Sequence, residues 1–435
     1  MNILLIGSGG REHAFATAIV SSPKCNRLYV APGNAGTSQI AENIPLGVTD
    51  FEGIKNFIVS KEINMVVVGP EEPLVKGIRD FLSSNPATRH IVVVGPSQQG
   101  AILEGSKDFS KKFMARNHVP TAAYDTFTPE TLDQGLKFIQ RQRLPIVLKA
   151  DGLAGGKGVL ILQSYEEAEK SLKEMLLDKK FGEASQKVVV EEFLSGIELS
   201  VFVATDGKNY KILPEAKDYK RIGEKDSGLN TGGMGAVSPV PFADEAFMQK
   251  VEEKIVKPSI EGLIKEHIDY KGFLFIGLMN VDGQPWVIEY NVRMGDPETQ
   301  AVLPRIKSDF VDLLYAIGTQ ALSNYTLEIE NCATATVVMV AGGYPGSFVK
   351  GAIITGLNPT NGKATTYHAG TQLDGSGNII TNGGRVLGIT GKGQDLQEAI
   401  EHAYEMVRQI VWDNHYYRKD IGQDILNYGK ELTNT

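Results

Sequence analysis

Glycine in this chain gathers at the ends of apolar runs, and that placement constrains the fold more than any other feature. Ile3 to Ile6 runs into Gly7-Ser8-Gly9-Gly10, Leu28 to Ala31 into Pro32-Gly33, Met65 to Val68 into Gly69-Pro70, and Ile91 to Val94 into Gly95-Pro96. Between them lie segments of helical periodicity, one from about Arg11 and one around Phe51 to Ser60. Short apolar runs alternating with helices predict βα units and a parallel sheet. The carboxyl ends of such strands face the ligand crevice, so these turns are expected to line a small-molecule site.

The 47 glycines among 435 residues exceed the usual share of ~7%, and much of the excess sits in clusters rather than in a linker. The length suits about three domains. Lys and Arg number 44 against 52 Asp and Glu, a formal charge of −8 with no long block of one sign. That balance argues against a general nucleic-acid binder. No apolar run approaches the ~20 residues of a membrane span. The amino terminus runs straight from Asn2-Ile3-Leu4-Leu5-Ile6 into the glycine turn without a basic leader, which reads as the first strand of a cytosolic protein. Cys25 and Cys332, the two cysteines, exclude a disulfide scaffold or a Cys-rich metal site.

Beyond about residue 104 the pattern becomes α+β. Strands are predicted at Ile146 to Ala150, Val159 to Leu162, Val188 to Phe193, Leu199 to Ala204, Phe273 to Val281 and Trp286 to Asn291. Asp206-Gly207 and Asp282-Gly283 signal hairpin turns, and Asp244 to His267 reads as one long amphipathic helical segment. After Ser323 further strands are predicted at Thr334 to Ala341, Ala352 to Thr355 and Val386 to Thr390, with a helix from about Asp395 to Val411. No tandem repeat or low-complexity linker separates these regions, so the domains are expected to pack together.

Three clusters suggest chemistry. Gly7-Ser8-Gly9-Gly10-Arg11-Glu12 suits an anion at a helix amino terminus. The dinucleotide fingerprint needs Gly where Glu12 stands and an acid after the second strand, which argues against NAD; a phosphate or sugar phosphate near Arg11 and a bare turn both stay open. Lys149-Ala150-Asp151-Gly152-Leu153-Ala154-Gly155-Gly156-Lys157-Gly158 lies between two predicted strands and lacks the P-loop pattern. It reads as a hairpin loop whose amides can approach phosphate oxygens, with Lys149 and Lys157 supplying charge. In Val287-Ile288-Glu289-Tyr290-Asn291-Val292-Arg293, strand alternation puts Glu289, Asn291 and Arg293 on one face. A carboxylate and an amide oxygen at this spacing suit Mg²⁺, which completes its shell with phosphates and water; a polar surface strand is the plainer reading. A fourth stretch, Gly228 to Gly235 after Lys220-Arg221, is either an active-site wall or a surface loop. No His-Glu-x-x-His, Gly-x-Ser-x-Gly or Cys-x-x-Cys motif is present.

These motifs in this order resemble the phosphoribosylamine-glycine ligases (glycinamide ribonucleotide synthetases) of the ATP-grasp superfamily. The likeness runs through Gly7 to His13, Pro32 to Thr37, Gly69 to Leu74, Leu103 to Lys107, Lys149 to Val159, Asn230 to Ala236 and Gly295 to Glu298. It continues through Gly343 to Gly346, Gly383 to Leu387 and Tyr417 to Gly422, covering nearly the whole chain. The resemblance implies a multidomain α/β and α+β fold. Residues 1–103 would form a Rossmann-like parallel-sheet substrate-binding domain. Residues 104–325 would form an ATP-grasp region whose mobile lid spans about 121–192, and 326–435 a small mixed, β-rich carboxyl-terminal domain.

The resemblance further implies a cytoplasmic enzyme of purine biosynthesis, a monomer or weak homodimer, using ATP with Mg²⁺ or Mn²⁺ on glycine and 5-phosphoribosylamine through an acyl phosphate. Lys107 and Lys149 match nucleotide-phosphate contacts, and Gly152, Gly155, Gly156, Lys157 and Gly158 the lid loop. Glu191, Glu192 and Phe193 match the hinge beside adenine, with Glu198 at the ribose. Glu289 and Asn291 match metal ligands, Arg293 the arginine that steadies the transferring phosphate or its acceptor, and Gly9, Gly10, Arg11, Glu71, Arg293 and Asp296 substrate contacts. Lys149 and Arg293 are the expected catalytic groups. Lys217 and Tyr219 stand where the family usually has Gln and His, Met294 where Phe is more usual, and Leu229 where Pro is. Gly277-Leu278-Met279 lacks the second acid common in the superfamily, so metal coordination would lean on ATP oxygens. Another ATP-grasp ligase or carboxylase, a dinucleotide oxidoreductase and a non-catalytic nucleotide sensor are the competing readings.

Overall fold

The computed structural model describes residues 1–153, 158–357 and 362–433. The glycine-ended runs form β1 (Asn2–Gly7), β2 (Arg27–Pro32), β3 (Glu42–Asn43), β4 (Met65–Val68) and β5 (Val92–Val94), all parallel in the order β3-β2-β1-β4-β5. Ile3, Leu4, Leu5 and Ile6 are fully buried because both faces of the sheet are covered. Alternation sends Leu4 and Ile6 into one apolar core and Ile3 and Leu5 into another. The predicted helix over Phe51–Ser60 forms, capped by Asp50, whose side chain accepts from the Gly53 N–H.

Next come β6 (Tyr124–Phe127), β7 (Ile146–Ala150), β8 (Val159–Leu162) and β9 (Val188–Glu192), an antiparallel sheet ordered β6-β9-β7-β8. The helices Leu132–Ile139 and Tyr165–Leu176 cover it, and Phe127, Ile139, Leu148, Leu172 and Val190 make a core separate from the two main ones. β7 and β8 pair as the hairpin arms expected around the lysine- and glycine-rich loop.

The chain continues through β10 (Ile197–Thr205), β11 (Tyr210–Ile212), β12 (Lys217–Asp218), the small hairpin β13 (Arg221–Gly223) and β14 (Ser227–Asn230), β15 (Gly235–Ser238), β16 (Gly272–Val281) and β17 (Gln284–Asn291). β11-β10-β16-β17 is one antiparallel sheet. Asp282 and Gly283, at φ 49° and 75°, make the two-residue turn predicted between β16 and β17. The other predicted turn is longer: β10 and β11 are joined by residues 206–209, with the Asp206 carboxylate accepting from the N–H groups of Lys208 and Asn209. The amphipathic segment is helical in three parts, Glu245–Val251, a π-helical turn Glu252–Val256, and Lys257–Lys265.

Last come β18 (Ala333–Val340), β19 (Ala364–His368), β20 (Thr371–Leu373), β21 (Ile379–Thr381) and β22 (Arg385–Gly393). The sheet β12-β15-β18-β22-β19 unites strands from before and after residue 325. Two expectations fail here. Ala352 to Thr355 is not a strand: Ile353 and Thr355 make only single bridges, because the run is pinched between Gly351 and Gly356 at φ 92° and 79°. The closing helix stops at Val407, and Val411 instead bridges Thr355. No helix among the described residues is long and apolar enough to cross a membrane.

A histidine pair joins the first sheet's domain to the last. The His368 N–H donates to Nδ1 of His13 at 2.8 Å, and Asn34 Nδ2 donates to the His368 carbonyl at 2.8 Å. Burial, with His368 beside it, takes the His13 imidazole down to about 3, and burial takes His368 down to about 4. Below the unfolded value near 6.5 the unfolded chain binds protons that the folded chain does not, so acidification favours unfolding. The slope is roughly 1 kcal/mol per pH unit for each imidazole. Thermal unfolding at pH 7 and pH 5 checks this: His13→Asn, which keeps an acceptor but does not titrate, should lose less Tm across the interval than the unsubstituted chain.

Candidate active site

The site is built at the carboxyl end of β17. Gly277 of β16 faces Glu289 but Leu278 faces Val287, so Ile288 is an extra residue in β17. The Ile288 carbonyl accepts from Lys149 Nζ at 3.1 Å, which ties the bulge to β7. Glu289 and Asn291 share a face, while Tyr290 turns the other way to share a hydrogen bond with Ser259 at 2.6 Å. Burial works to raise the Glu289 carboxyl, but Lys220, Lys107, Lys149 and Arg293 outweigh it and hold it below its usual range. An ionised carboxylate beside an amide oxygen, with neither side chain bonded to a described residue, fits a hard divalent cation that shares its shell with phosphates. Among the described residues no group of three or more His, Cys, Asp or Glu could hold a metal unaided.

Just past the strand, Arg293 is clamped between two acids. Its Nε lies 3.2 Å from Glu71 Oε2 and its Nη2 2.9 Å from Glu104 Oε1, while Glu104 Oε2 accepts from the Val292 N–H at 2.8 Å. Against burial, Glu104 and Glu71 raise the guanidinium further above its ordinary value. Glu71 is held low by Arg293 and Arg11 in spite of burial, whereas burial lifts Glu104 despite Arg293.

On the lid side, Glu191 is buried with Oε2 3.0 Å from Lys149 Nζ and 3.1 Å from Lys111 Nζ. Its carboxylate therefore orients two lysines; the other oxygen, Oε1, is buried with no partner. Lys111 also donates to Thr121 Oγ1 at 2.7 Å, and burial pushes its ammonium down to about 8 against the pull of Glu191. Glu192 accepts from the Ala123 N–H at 2.9 Å, and Phe193 beside it is exposed. Lys107 opens the helix Lys107–Arg116, and its N–H donates to the Asp151 carbonyl at 3.1 Å. The Asp151 carboxylate accepts from Ser106 Oγ and the Asp108 N–H, pinning the hairpin to that helix. The Gly158 carbonyl accepts from the Ala150 N–H at 2.8 Å, and a Cβ on Gly152 would lie 3.0 Å from Ala184. Gly155, Gly156 and Lys157 lie outside the described residues. Glu198, at the mouth, takes Lys220 Nζ at 2.5 Å.

The amino-terminal glycine loop is arranged around an internal carboxylate. Glu12 Oε2 accepts from the Gly9 N–H at 2.6 Å and Oε1 from Arg11 Nε at 2.6 Å. A Cβ on Gly7 or Gly69 would lie 2.4 or 2.2 Å from Glu12 atoms, so those two glycines make room for a side chain of the protein itself. Glu12 thus fills the anion place that a dinucleotide pyrophosphate would need. Arg11 Nη1 donates to the Met294 carbonyl at 3.1 Å, bringing this loop against the Gly-Asp-Pro turn after β17. A Cβ on Gly9 would lie 3.1 Å from Asp296 Oδ2, and one on Gly10 2.4 Å from Gln300 Nε2. Burial works against the ionised Asp296, but Arg385 and Arg11 hold its carboxyl below the usual range.

The site thus brings together Lys107, Lys149, Glu191, Glu289, Asn291 and Arg293, and beside them Gly9, Gly10, Arg11, Glu71 and Asp296. Sequence reading assigned no role to Lys111, Glu104, Glu12, Asp218 or Glu298. Lys111 is one helical turn from Lys107, a visible signal; Glu12, Glu104 and Glu298 stand in the motifs that carry the resemblance, but the partners of Glu104, Arg293 and the Val292 N–H, lie far along the chain. Burial, with Asp218 beside it, pushes Glu298 up to about 7.

Residues 1–104 match the family described as phosphoribosylglycinamide synthetase, N domain, residues 105–299 its ATP-grasp (A) domain and residues 334–424 its C domain. The chain is 43% identical over 435 residues to phosphoribosylamine-glycine ligase of Yersinia pestis, covering 99% of this chain and 100% of that one. It is 44% identical over 428 residues to the protein of the same name from Escherichia coli K12, covering 97% and 98%. The crystal structure of phosphoribosylamine-glycine ligase from Thermotoga maritima superposes with a TM-score of 0.84 at 35% identity, covering 97% of this chain and 100% of that one. A biotin carboxylase domain from Hydrogenobacter thermophilus, solved with magnesium ADP and bicarbonate, shares the fold at 15% identity and a TM-score of 0.73, covering 96% and 91%.

The residues that depart from the family pattern make their own contacts beside this site: the Met294 carbonyl accepts from Arg11, and Lys220 and then Lys217 hold the Glu198 carboxyl low against burial. Tyr219 is buried; its hydroxyl donates to Asp424 Oδ1 at 2.6 Å and accepts from the Gly422 N–H at 3.0 Å. Lys217 Nζ lies 3.0 Å from Asp424 Oδ2 and 3.8 Å from the centre of the Tyr219 ring. Both exchanges therefore serve one acid on the closing helix Gln423–Thr433. Met294 is buried in an apolar core, and Leu229 is exposed on β14. Tyr219→Phe should cost about 1–3 kcal/mol of stability through the lost buried hydroxyl and leave every KM unchanged; chemical denaturation and steady-state kinetics check the two halves.

Proposed function

The chain belongs to the phosphoribosylglycinamide synthetase family, and on that premise we propose that it joins glycine to 5-phosphoribosylamine with ATP, yielding glycinamide ribonucleotide, ADP and phosphate in purine biosynthesis. One observation supports the site assignment: Glu289 and Asn291 stand uncommitted on one strand face, with the charges of Lys220, Lys107, Lys149 and Arg293 around the carboxylate. Glycine's carboxylate is a poor electrophile. Its oxygen attacks the γ-phosphorus, the bond to ADP breaks, and an acyl phosphate forms. The amine nitrogen then attacks the carbonyl carbon, the carbon-oxygen bond to phosphate breaks, and the nitrogen loses a proton.

The protein's work is positioning and charge neutralisation. Glu289 and Asn291 would hold Mg²⁺ or Mn²⁺, which would supply Lewis acidity to the phosphoryl transfer. Lys107 and Lys149 receive phosphate oxygens, with Glu191 and the Ile288 carbonyl fixing Lys149. Gly152 and Gly158 flank the hairpin loop that, with Gly155, Gly156 and Lys157, closes over the phosphates and excludes water from the acyl phosphate. Glu192 and Phe193 form the hinge beside adenine, and Glu198 meets the ribose. Arg293, immobilised by Glu71 and Glu104, steadies the transferring phosphoryl group. Gly9, Gly10, Arg11, Glu71 and Asp296 form the acceptor end.

Residues 1–103, 104–325, with a lid of about 121–192, and 326–435 are the working units, in a cytoplasmic monomer or weak homodimer. ADP release should require glycine and 5-phosphoribosylamine together, and neither alone should suffice in a coupled assay. Glu289→Ala should abolish turnover while thermal unfolding stays unchanged; robust turnover by that variant discards the metal assignment.

A further inference from the structure

Arg385, the first residue of β22, does no work in the scheme above, yet one guanidinium holds three acceptors from two other elements. Its Nη1 donates to the Gly232 carbonyl at 2.5 Å and to the Asp296 carbonyl at 2.6 Å, and its Nη2 lies 3.3 Å from Asp296 Oδ2. Gly232 belongs to the glycine-rich stretch between β14 and β15, and its N–H donates to the Tyr344 hydroxyl at 3.0 Å. The next residue packs onto the same turn: a Cβ on Gly233 would lie 2.4 Å from Pro297 Cδ. Gln300 Nε2 holds the other Asp296 oxygen at 2.8 Å, and Gln300 Oε1 is buried with no partner. The carboxylate so fixed packs against Gly9, where a Cβ would lie 3.1 Å from its Oδ2 and 2.9 Å from Glu12 Oε2.

We propose that Arg385 is a positioning residue for the acceptor end of the site: it locks the Gly-Asp-Pro turn and the loop around Gly232 into one wall facing Gly9 and Gly10, and so sets affinity for the phosphoribosyl amine and not for ATP. This rests on the reading of Asp296 as a substrate contact. A planar fork can satisfy a carboxylate and two carbonyls together; a lysine ammonium on a flexible stem cannot hold all three in one geometry. The glycine-rich loop is held on one side by Thr231, whose N–H and hydroxyl both donate to the Lys220 carbonyl at 2.8 Å, and on the side of the Gly-Asp-Pro turn by Arg385 and Tyr344.

Steady-state kinetics of Arg385→Lys, Gly232→Ala and Asp296→Asn test it, with thermal unfolding measured alongside. A Cβ on Gly232 would lie 3.0 Å from Arg385 Cζ and displace the guanidinium without removing it, so this variant keeps the test alive should Arg385→Lys not fold. The expected result for both is a rise of about tenfold in KM for 5-phosphoribosylamine, as one charge-assisted contact is worth, with KM for ATP and kcat changed less than about threefold. If Asp296→Asn raises that KM while Arg385→Lys and Gly232→Ala leave it alone, the positioning role is wrong and the acceptor reading stands. If none of the three moves it, the acceptor reading falls as well. A fall in kcat together with rises in both KM values makes Arg385 a general structural prop and overturns the proposal.

Discussion

Arg293, held between Glu71 and Glu104, is the contact on which the site's geometry depends. Glu71 opens a helix that follows β4 of the parallel sheet, Glu104 lies in the helix Gln98–Gly105, and Arg293 follows β17. Three stretches far apart in sequence thus converge on one guanidinium. Removing charged groups from water costs several kcal/mol each, and such a cluster holds only when every member is hydrogen-bonded. Here the Glu104 carboxylate takes both Arg293 and the Val292 N–H, and Arg11 reaches the next carbonyl, that of Met294. Losing one partner leaves the others buried and uncompensated, so the strand end bearing Glu289 and Asn291 has little freedom to drift.

A second set of buried charges performs the same task on the lid side. Glu191 bridges Lys111 of the helix before the lid and Lys149 of the lid's own sheet, and Lys149 reaches the carbonyl exposed by the bulge at Ile288. The lid has its own apolar core, so its attachment to the rest relies on such polar contacts and on Asp151, whose carboxylate accepts from Ser106 and Asp108. An element with a private core and polar anchors is physically suited to move as a unit, as the proposed function asks of it.

Glycines that look alike in sequence differ in purpose. Gly10 packs on Gln300 and Gly9 on both Glu12 and Asp296, whereas Gly7 and Gly69 yield space to Glu12 alone. The residue that breaks the dinucleotide pattern, Glu12, is the one for which Gly7 and Gly69 make room. Lys217 and Tyr219 teach the converse. Beside an active-site strand in sequence, they face the closing helix and pair with Asp424, some two hundred positions later.

Local pattern alone disclosed the parallel sheet, the hairpin around the lysine- and glycine-rich loop, the turn at Asp282-Gly283 and the alternation that puts Glu289 and Asn291 together. Each of these follows from period, chain stiffness or steric freedom within a few residues. Tertiary structure decided the rest: that β12 and β15 complete a sheet built mostly after residue 325, that Glu191 points inward at two lysines, that Ile288 bulges, and that Ala352 to Thr355 finds no ladder. The reason is physical. Strand partners and the neutralisation of buried charge are settled by which groups meet through space once the cores close, and no window of sequence contains both members of the pair.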